Sequence, residues 1–377
     1  MISRRRFLGS AGLVAMSAAT GVPSFADGQP RWPRYRQAMA IDALSGIDFL
    51  LIDEKDPAAA DALQHLRDCG LTAVVMTAAP QGRFWLDDAA HDATRKRIDE
   101  WKARIARHPD AMLLVRSRAD LERAHRGKCV GVILTFQGTE PLGEDIDRIA
   151  SFHEQGVRVI QLTHNRRNLV GDGCMEPGNA GLSNYGRDVV ERLNAQRIVV
   201  DLSHGAPRTI REGILASKAP VIIGHTGCRS LVDAPRLVYD EDLKLLAERG
   251  GVAGMIFWPY IREQGQQMAA DVLRHIEHAI DVCGEDHVGI GTDLGVSPIG
   301  VTPQFARENV EQLKDMIAQG IFARDRDPNL YLFPPDLNVV NRFEVLAALL
   351  SARGHSDARI EKILGRNFAR VMGEVWG

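Results

Sequence analysis

Short apolar runs alternate with longer amphipathic stretches along most of this chain. The runs fall at 39–41, 73–76, 112–115, 130–134, 157–162, 198–201, 221–224, 252–257 and 288–291, and they are rich in Val and Ile. Each is only a few residues long and continuous rather than alternating. That is the signature of strands buried on both faces, as in a parallel sheet, whereas a strand with one wet face alternates. Between them lie helix-like stretches. The segment 92–108 sets mixed charges around Ile98, Trp101 and Ile105 and stops before Pro109, and 184–194, 240–249 and 268–282 have similar character. The tail, 341–376, reads as two or three further helices. Eight or nine βα units with no Pro-, Gly- or Ser-rich linker predict a single (β/α)₈ TIM-like barrel with a helical C-terminal extension. An open doubly wound sheet is the second choice. No GxGxxG or P-loop glycine pattern follows an early strand, which counts against nucleotide binding.

The N-terminus departs from this alternation. Ser3-Arg4-Arg5-Arg6-Phe7-Leu8 precedes an apolar, small-residue stretch at 9–22, and Ser24-Phe25-Ala26 offers a small-x-small cleavage site. A charged start, a short apolar stretch and such a site predict a signal peptide over 1–26 and one barrel domain over 27–377. The arginine string resembles a twin-arginine export signal, which implies export of the folded protein to the periplasm or another extracytoplasmic space by that machinery. The alternative is an N-terminal membrane anchor left uncleaved.

Composition adds mainly exclusions. Of the 377 residues, 45% are hydrophobic and 25% charged, and 46 Lys and Arg against 49 Asp and Glu leave a formal charge of -3. No basic excess calls for nucleic acid. The cysteines at 69, 129, 174, 228 and 283 are too few and too scattered for a disulfide scaffold, and no CxxC pair forms a zinc knuckle.

The chemistry gathers where barrels keep it, just past the strands. Asp201-Leu202-Ser203-His204 and Gly224-His225-Thr226-Gly227 each place a histidine beyond an apolar run. Leu162-Thr163-His164 adds a third, and Gly291-Thr292-Asp293 a carboxylate. Any one of these histidines alone reads as a hydrogen-bonded core residue. Three of them with Asp293 in equivalent positions read as a site, and two imidazoles with a carboxylate suit a divalent transition metal such as Zn²⁺. Asn165-Arg166-Arg167 reads as a solvated basic patch ahead of the alternative, a substrate-facing loop, and Trp258 and Tyr260 as aromatic packing at the barrel rim ahead of pocket lining.

At these residues the sequence resembles the membrane (renal) dipeptidase family of zinc peptidases. The stretch Gly181-Leu182-Ser183-Asn184-Tyr185-Gly186-Arg187-Asp188-Val189-Val190, leading to Asp201-Leu202-Ser203-His204, is similar to the family's GLT-x-x-G-R-x-V-V … V-D-L-S-H pattern. Gly224–Arg229 resembles S-H-S-x-x-R, Gly289–Asp293 resembles G-x-G-[GS]-D, and Gly365–Val371 resembles G-x-N-x-x-R-V. The resemblance implies a metal-dependent hydrolase acting on a dipeptide or small amino-acid derivative. His204 and His225 become ligands of one zinc, and His164 and Arg229 become substrate contacts, Arg229 holding the substrate carboxylate. His164 also stabilises the reaction's oxyanion and Asp293 handles protons. Members of the family are commonly homodimers, an assembly that no feature of this sequence speaks for or against.

Three positions break the pattern. Leu44 and Gly46 stand where the family's D-G-H-x-D supplies His and Asp to a second zinc, and Gln137 stands in place of the bridging Glu. A neutral amide is a weak ligand for a dication. Ligand counting therefore predicts one Zn²⁺ per chain, on His204, His225 and weakly Gln137, with the second site lost. The alternative is a catalytically inactive relative that binds a peptide-like ligand.

Overall fold

The computed structural model describes residues 31–80 and 88–377. The predicted signal peptide lies outside the described residues. Among the described residues there are eleven strands: β1 (Ile41–Asp42), β2 (Ser45–Gly46), β3 (Ala73–Thr77), β4 (Met112–Leu114), β5 (Val130–Gln137), β6 (Val157–Gln161), β7 (Val199–Asp201), β8 (Ile222–Thr226), β9 (Val252–Met255), β10 (Val288–Ile290) and β11 (Leu294–Gly295). Eight of them run parallel in the order β1-β3-β5-β6-β7-β8-β9-β10. The ring is drawn together where the Ala43 N–H donates to the Ile290 carbonyl at 3.0 Å. Above that point the short parallel pair β2–β11 continues the seam. Asp42 clamps it, accepting the Thr292 N–H at 2.8 Å and the Thr292 hydroxyl at 2.6 Å. The fold is the expected (β/α)₈ barrel. The run at 112–115, one more than the barrel needs, became β4, a short strand that pairs only with the first residues of β5, Met112 opposite Val130.

Strand alternation decides what faces where. Ile41, Val75, Ile133, Val159, Val199, Ile222 and Val252 form one buried cluster with Phe368, Val371, Met372, Val375 and Trp376 of the last helix, Asn367–Trp376. Their strand neighbours Val74, Val132, Val200, Ile223 and Ala253 belong instead to the larger cluster shared with the surrounding helices. The barrel interior is thus a packed core with the C-terminal helix against it. Continuing that inward phase upward, Gln137 lies in register with Gln161, and Gln161 with Asp201. On β8–β10 the inward phase is glycine. A Cβ on Gly254 or Gly291 would sit 2.1 or 2.0 Å from the Gly224 carbonyl oxygen, so only glycine permits these strands to approach so closely beneath the site.

The predicted helices appear as Ala89–Arg107, Asn184–Ala195, Asp240–Glu248 and Ala269–Cys283, and the tail as Arg342–Ala352, Asp357–Glu361 and Asn367–Trp376. One helix the pattern did not show is Pro303–Ala318. Thr302 caps it by accepting the Phe305 N–H, and only Asn309, Leu313 and Met316 are buried, a stripe too narrow to stand out in the sequence. Among the described residues no helix is long and apolar enough to cross a membrane, and all five cysteines are free thiols.

Candidate functional site

Three histidines converge at the C-terminal mouth of the barrel, each for a local reason. His225 is the fourth residue of β8 and fully buried. His204 follows β7 in a left-handed backbone conformation, φ 62°, fixed because its carbonyl accepts the Cys174 N–H at 2.7 Å. Asp201 holds the turn between them: its carboxylate accepts the Ser203 N–H, the Ser203 hydroxyl and the Gly224 N–H. His164 follows β6 and stacks on His204 with ring centroids 4.2 Å apart.

The outcome is a compact nitrogen cluster. His204 Nε2 lies 2.9 Å from His225 Nε2, and the Gln137 side-chain amide lies 3.4 Å from the same His225 atom. His204 Nδ1 contacts Asn165 Oδ1 at 2.7 Å, whereas His225 Nδ1 is buried with no hydrogen-bond partner among the described residues. Burial, then the Arg236 guanidinium, holds all three imidazoles in the neutral form: His164 is pushed down to about 3, and His204 and His225 well below the usual histidine range. Neutral imidazoles keep a lone pair for a metal.

Asp293 follows β10, two strands along from β8. Its N–H donates to the Leu44 carbonyl at 2.8 Å, and its own carbonyl accepts the Trp258 indole N–H at 2.8 Å. Burial and the neighbouring Asp42 raise its carboxyl to about 7 against the opposing pull of Arg236. Like His204 it is a non-glycine residue at positive φ, 57°, a conformation rarely kept without reason. Leu44 is buried yet belongs to neither apolar cluster, and Gly46 lies in β2 beside Gly295.

Arg229 engages other side chains. Its guanidinium pairs with Asp233 at 2.7 Å and lies over the Tyr239 ring at 4.6 Å. The arginine that the fold brings to the histidines is Arg236, which the sequence did not single out. It is buried, donates to the His225 carbonyl at 3.3 Å, and has an Nε without a partner among the described residues. Asn165 was also missed. Arg166 and Arg167 are exposed as expected of a solvated patch, but Asn165 turns inward to His204. Trp258 stacks on Tyr260, and Tyr260 on Phe322, so the rim packing is present and one of its members touches Asp293.

The side-chain donors that come together are the two imidazole Nε2 atoms and the Gln137 amide. Nitrogens 2.9 Å apart can share an ion at Zn–N bonds of about 2.0–2.1 Å. A half-turn of the Gln137 amide would present oxygen in place of nitrogen. Leu44 and Gly46 offer no side-chain donor, and among the described residues, the histidine pair included, no group of three His, Cys, Asp or Glu side chains is placed to hold a metal.

The parallel eight-stranded barrel thus carries at its C-terminal mouth neutral imidazoles, a guanidinium whose Nε has no partner among the described residues, and a buried carboxyl. The family model described as "Membrane dipeptidase (Peptidase family M19)" matches residues 39–324, and the chain belongs to that family. Among curated relatives, Dipeptidase tcpJ of Claviceps purpurea is 30% identical over 310 residues, covering 80% of this chain and 65% of the relative. Dipeptidase verJ of Clonostachys rogersoniana is 28% identical over 285 residues, covering 75% and 65%. The chain thus spans just under two thirds of the length of these relatives. Among solved structures, an amidohydrolase from Pseudomonas aeruginosa superposes with a TM-score of 0.76 at 28% identity, covering 91% of this chain and 98% of that one. A metallo peptidase from Rhodobacter sphaeroides, liganded with a phosphinate mimic of the dipeptide L-Ala-D-Ala, shares the fold with a TM-score of 0.72 at 20% identity, covering 90% and 99%.

Proposed function

We propose that this chain hydrolyses the amide bond of a dipeptide or similarly small amino-acid derivative at a centre for one divalent metal ion. The observation that carries the reading is the convergence of the His204 and His225 Nε2 atoms, 2.9 Å apart, beside Gln137 and Arg236. His204, His225 and the Gln137 amide oxygen would hold the ion. Zn²⁺ suits imidazole donors, and when bound it polarises a carbonyl and acidifies water.

The chain's own groups do the rest. Asp293, with its carboxyl near 7, takes a proton from the attacking water and returns it to the leaving amine. His164, neutral and stacked on His204, donates its ring N–H to the oxyanion. Arg236 takes the substrate carboxylate, since a buried guanidinium with a free Nε matches a carboxylate fork. The carboxylate-holding role thus moves from Arg229 to Arg236. The leader over 1–26 would deliver the folded protein to the periplasm through the twin-arginine machinery.

The test is turnover of a dipeptide panel by purified protein loaded with Zn²⁺, Mn²⁺ or Co²⁺. Hydrolysis that disappears in both His204→Ala and His225→Ala supports the reading, and hydrolysis indifferent to both substitutions overturns it. One observation favours the second reading, an inactive relative that binds a peptide-like ligand. In a metal-free site the partnerless His225 Nδ1 leaves the ring proton on Nε2, free to donate to His204. Tight dipeptide binding without turnover in any metal would support that reading.

A further inference from the structure

The two imidazoles at the centre of the site are held in different ways, and the difference points to a residue that nothing so far gives a role. His204 uses both ring nitrogens. Nε2 faces His225, and Nδ1 contacts Asn165 Oδ1 at 2.7 Å. The Cys174 thiol donates to that same oxygen at 3.5 Å, which makes Oδ1 the acceptor for both neighbours. With the amide oxygen turned to the ring it can only accept, so His204 carries its proton on Nδ1 and its Nε2 lone pair faces His225. His225 has no such brace, since its Nδ1 finds no partner among the described residues.

Asn165 is itself fixed by the backbone. Its carbonyl accepts the Met175 N–H at 2.9 Å, one residue from the Cys174 N–H that holds the His204 carbonyl. A Cβ on Gly173 would lie 1.9 Å from the His164 carbonyl oxygen and 2.6 Å from that of Asn165, so the loop 164–175 can close on itself only with glycine there. Gly173 also bridges Gly205 in an antiparallel pair. One loop therefore sets the backbone of His204, its ring orientation and its tautomer together.

We propose that Asn165 is a positioning residue for the metal centre: it fixes the Nδ1–H tautomer of His204 and makes that imidazole the pre-organised ligand, with His225 the adaptable one. This rests on the reading of the site as a one-metal centre, in which the partner of a ligand's far nitrogen sets ring orientation and basicity. It acts through His204 and touches neither substrate nor metal.

The test uses the full chain and two readouts besides activity. The first is ¹⁵N NMR of the histidine rings in metal-free protein. His204 is expected to show a protonated Nδ1 and an unprotonated Nε2, and Asn165→Leu is expected to lose that single tautomer. The second is titration with Zn²⁺ and Co²⁺. Asn165→Leu is expected to weaken binding by about 10- to 100-fold, the usual consequence of losing such a partner. Asn165→Asp keeps the acceptor and is expected to restore both readouts, with binding at least as tight as wild type. Circular dichroism and the melting temperature identify a variant that has simply misfolded, and the Asp variant then carries the test. A wild-type His204 protonated on Nε2, or an Asn165→Leu protein with unchanged tautomer and affinity, would overturn the proposal. If wild type binds no metal, the one-metal reading fails while the ring tautomer still reports on Asn165 separately.

Discussion

The two sides of the barrel mouth have diverged in chemistry while keeping the same kind of scaffold. On the β5–β8 side, Gln137, His164, His204 and His225 crowd nitrogen donors into one cluster, backed by Arg236. On the β1–β10 side the framework is equally ordered: Asp42 clamps Thr292, Asp293 donates to Leu44, and β2 pairs with β11. Yet the side chains there, Leu44 and Gly46, offer a metal nothing. Main-chain order is present on both sides, while the nitrogen donors gather on one. Side chains can thus be exchanged without disturbing the seam, because the seam is held by main-chain bonds, those of Leu44 and Gly46 included, and by Asp42, not by the side chains at 44 and 46.

Several experiments would break or sharpen this contrast. The largest expected effect is on Asp293, the one reactive group on the donor-poor side. Asp293→Asn should lower kcat by about 10²- to 10⁴-fold while leaving bound metal unchanged, read from steady-state kinetics and metal content. Loss of metal in that variant would make Asp293 a ligand and erase the asymmetry. On the donor-rich side, Arg236→Met should raise KM by about 10- to 100-fold, the size expected for a lost charged hydrogen bond. Arg229→Ala, which removes the pair with Asp233 and the contact with the Tyr239 ring, should change KM little. The reverse result would return the carboxylate to Arg229.

The pH profile is a third measure. Asp293 must be ionised to accept a proton, and burial raises its carboxyl to about 7. The kcat/KM value should therefore be level above that point and fall about tenfold per pH unit below it. A profile flat down to pH 5 would assign the base elsewhere. The smallest effect is structural. Thr292→Val removes the hydroxyl that donates to Asp42 at 2.6 Å and should cost about 1–3 kcal/mol of stability without altering metal content. A loss of metal here would show that the seam and the donor cluster are not independent.

Most of the barrel was legible because buried parallel strands leave continuous Val- and Ile-rich runs. The branch strand β4 looked like any other, since its short run says nothing about which half of β5 it pairs with. His204, His225 and Asp293 were legible because each follows a run directly. Arg236 was not. It lies eleven residues past His225 in a loop whose return to the site depends on tertiary contacts, such as the Thr226 hydroxyl donating to its carbonyl. The nearer Arg229 drew the assignment by position alone. Asn165 was hidden for a similar reason: beside two exposed arginines it looked like surface, and only the closure of the 164–175 loop turns it inward.

The central claim is that one side of the mouth binds a metal and the other cannot. Metal analysis of the purified wild-type chain after saturation with Zn²⁺ and removal of excess tests it most directly, alongside the combined variant Leu44→His, Gly46→Asp, Gln137→Glu. A Cβ on Gly46 meets only Leu51 Cδ1 at 3.5 Å and Gly295 at 3.9 Å, so the side chain has room there. The expected result is about one equivalent per wild-type chain and about two for the variant. No metal in the wild-type chain, or two equivalents without the substitutions, would contradict it.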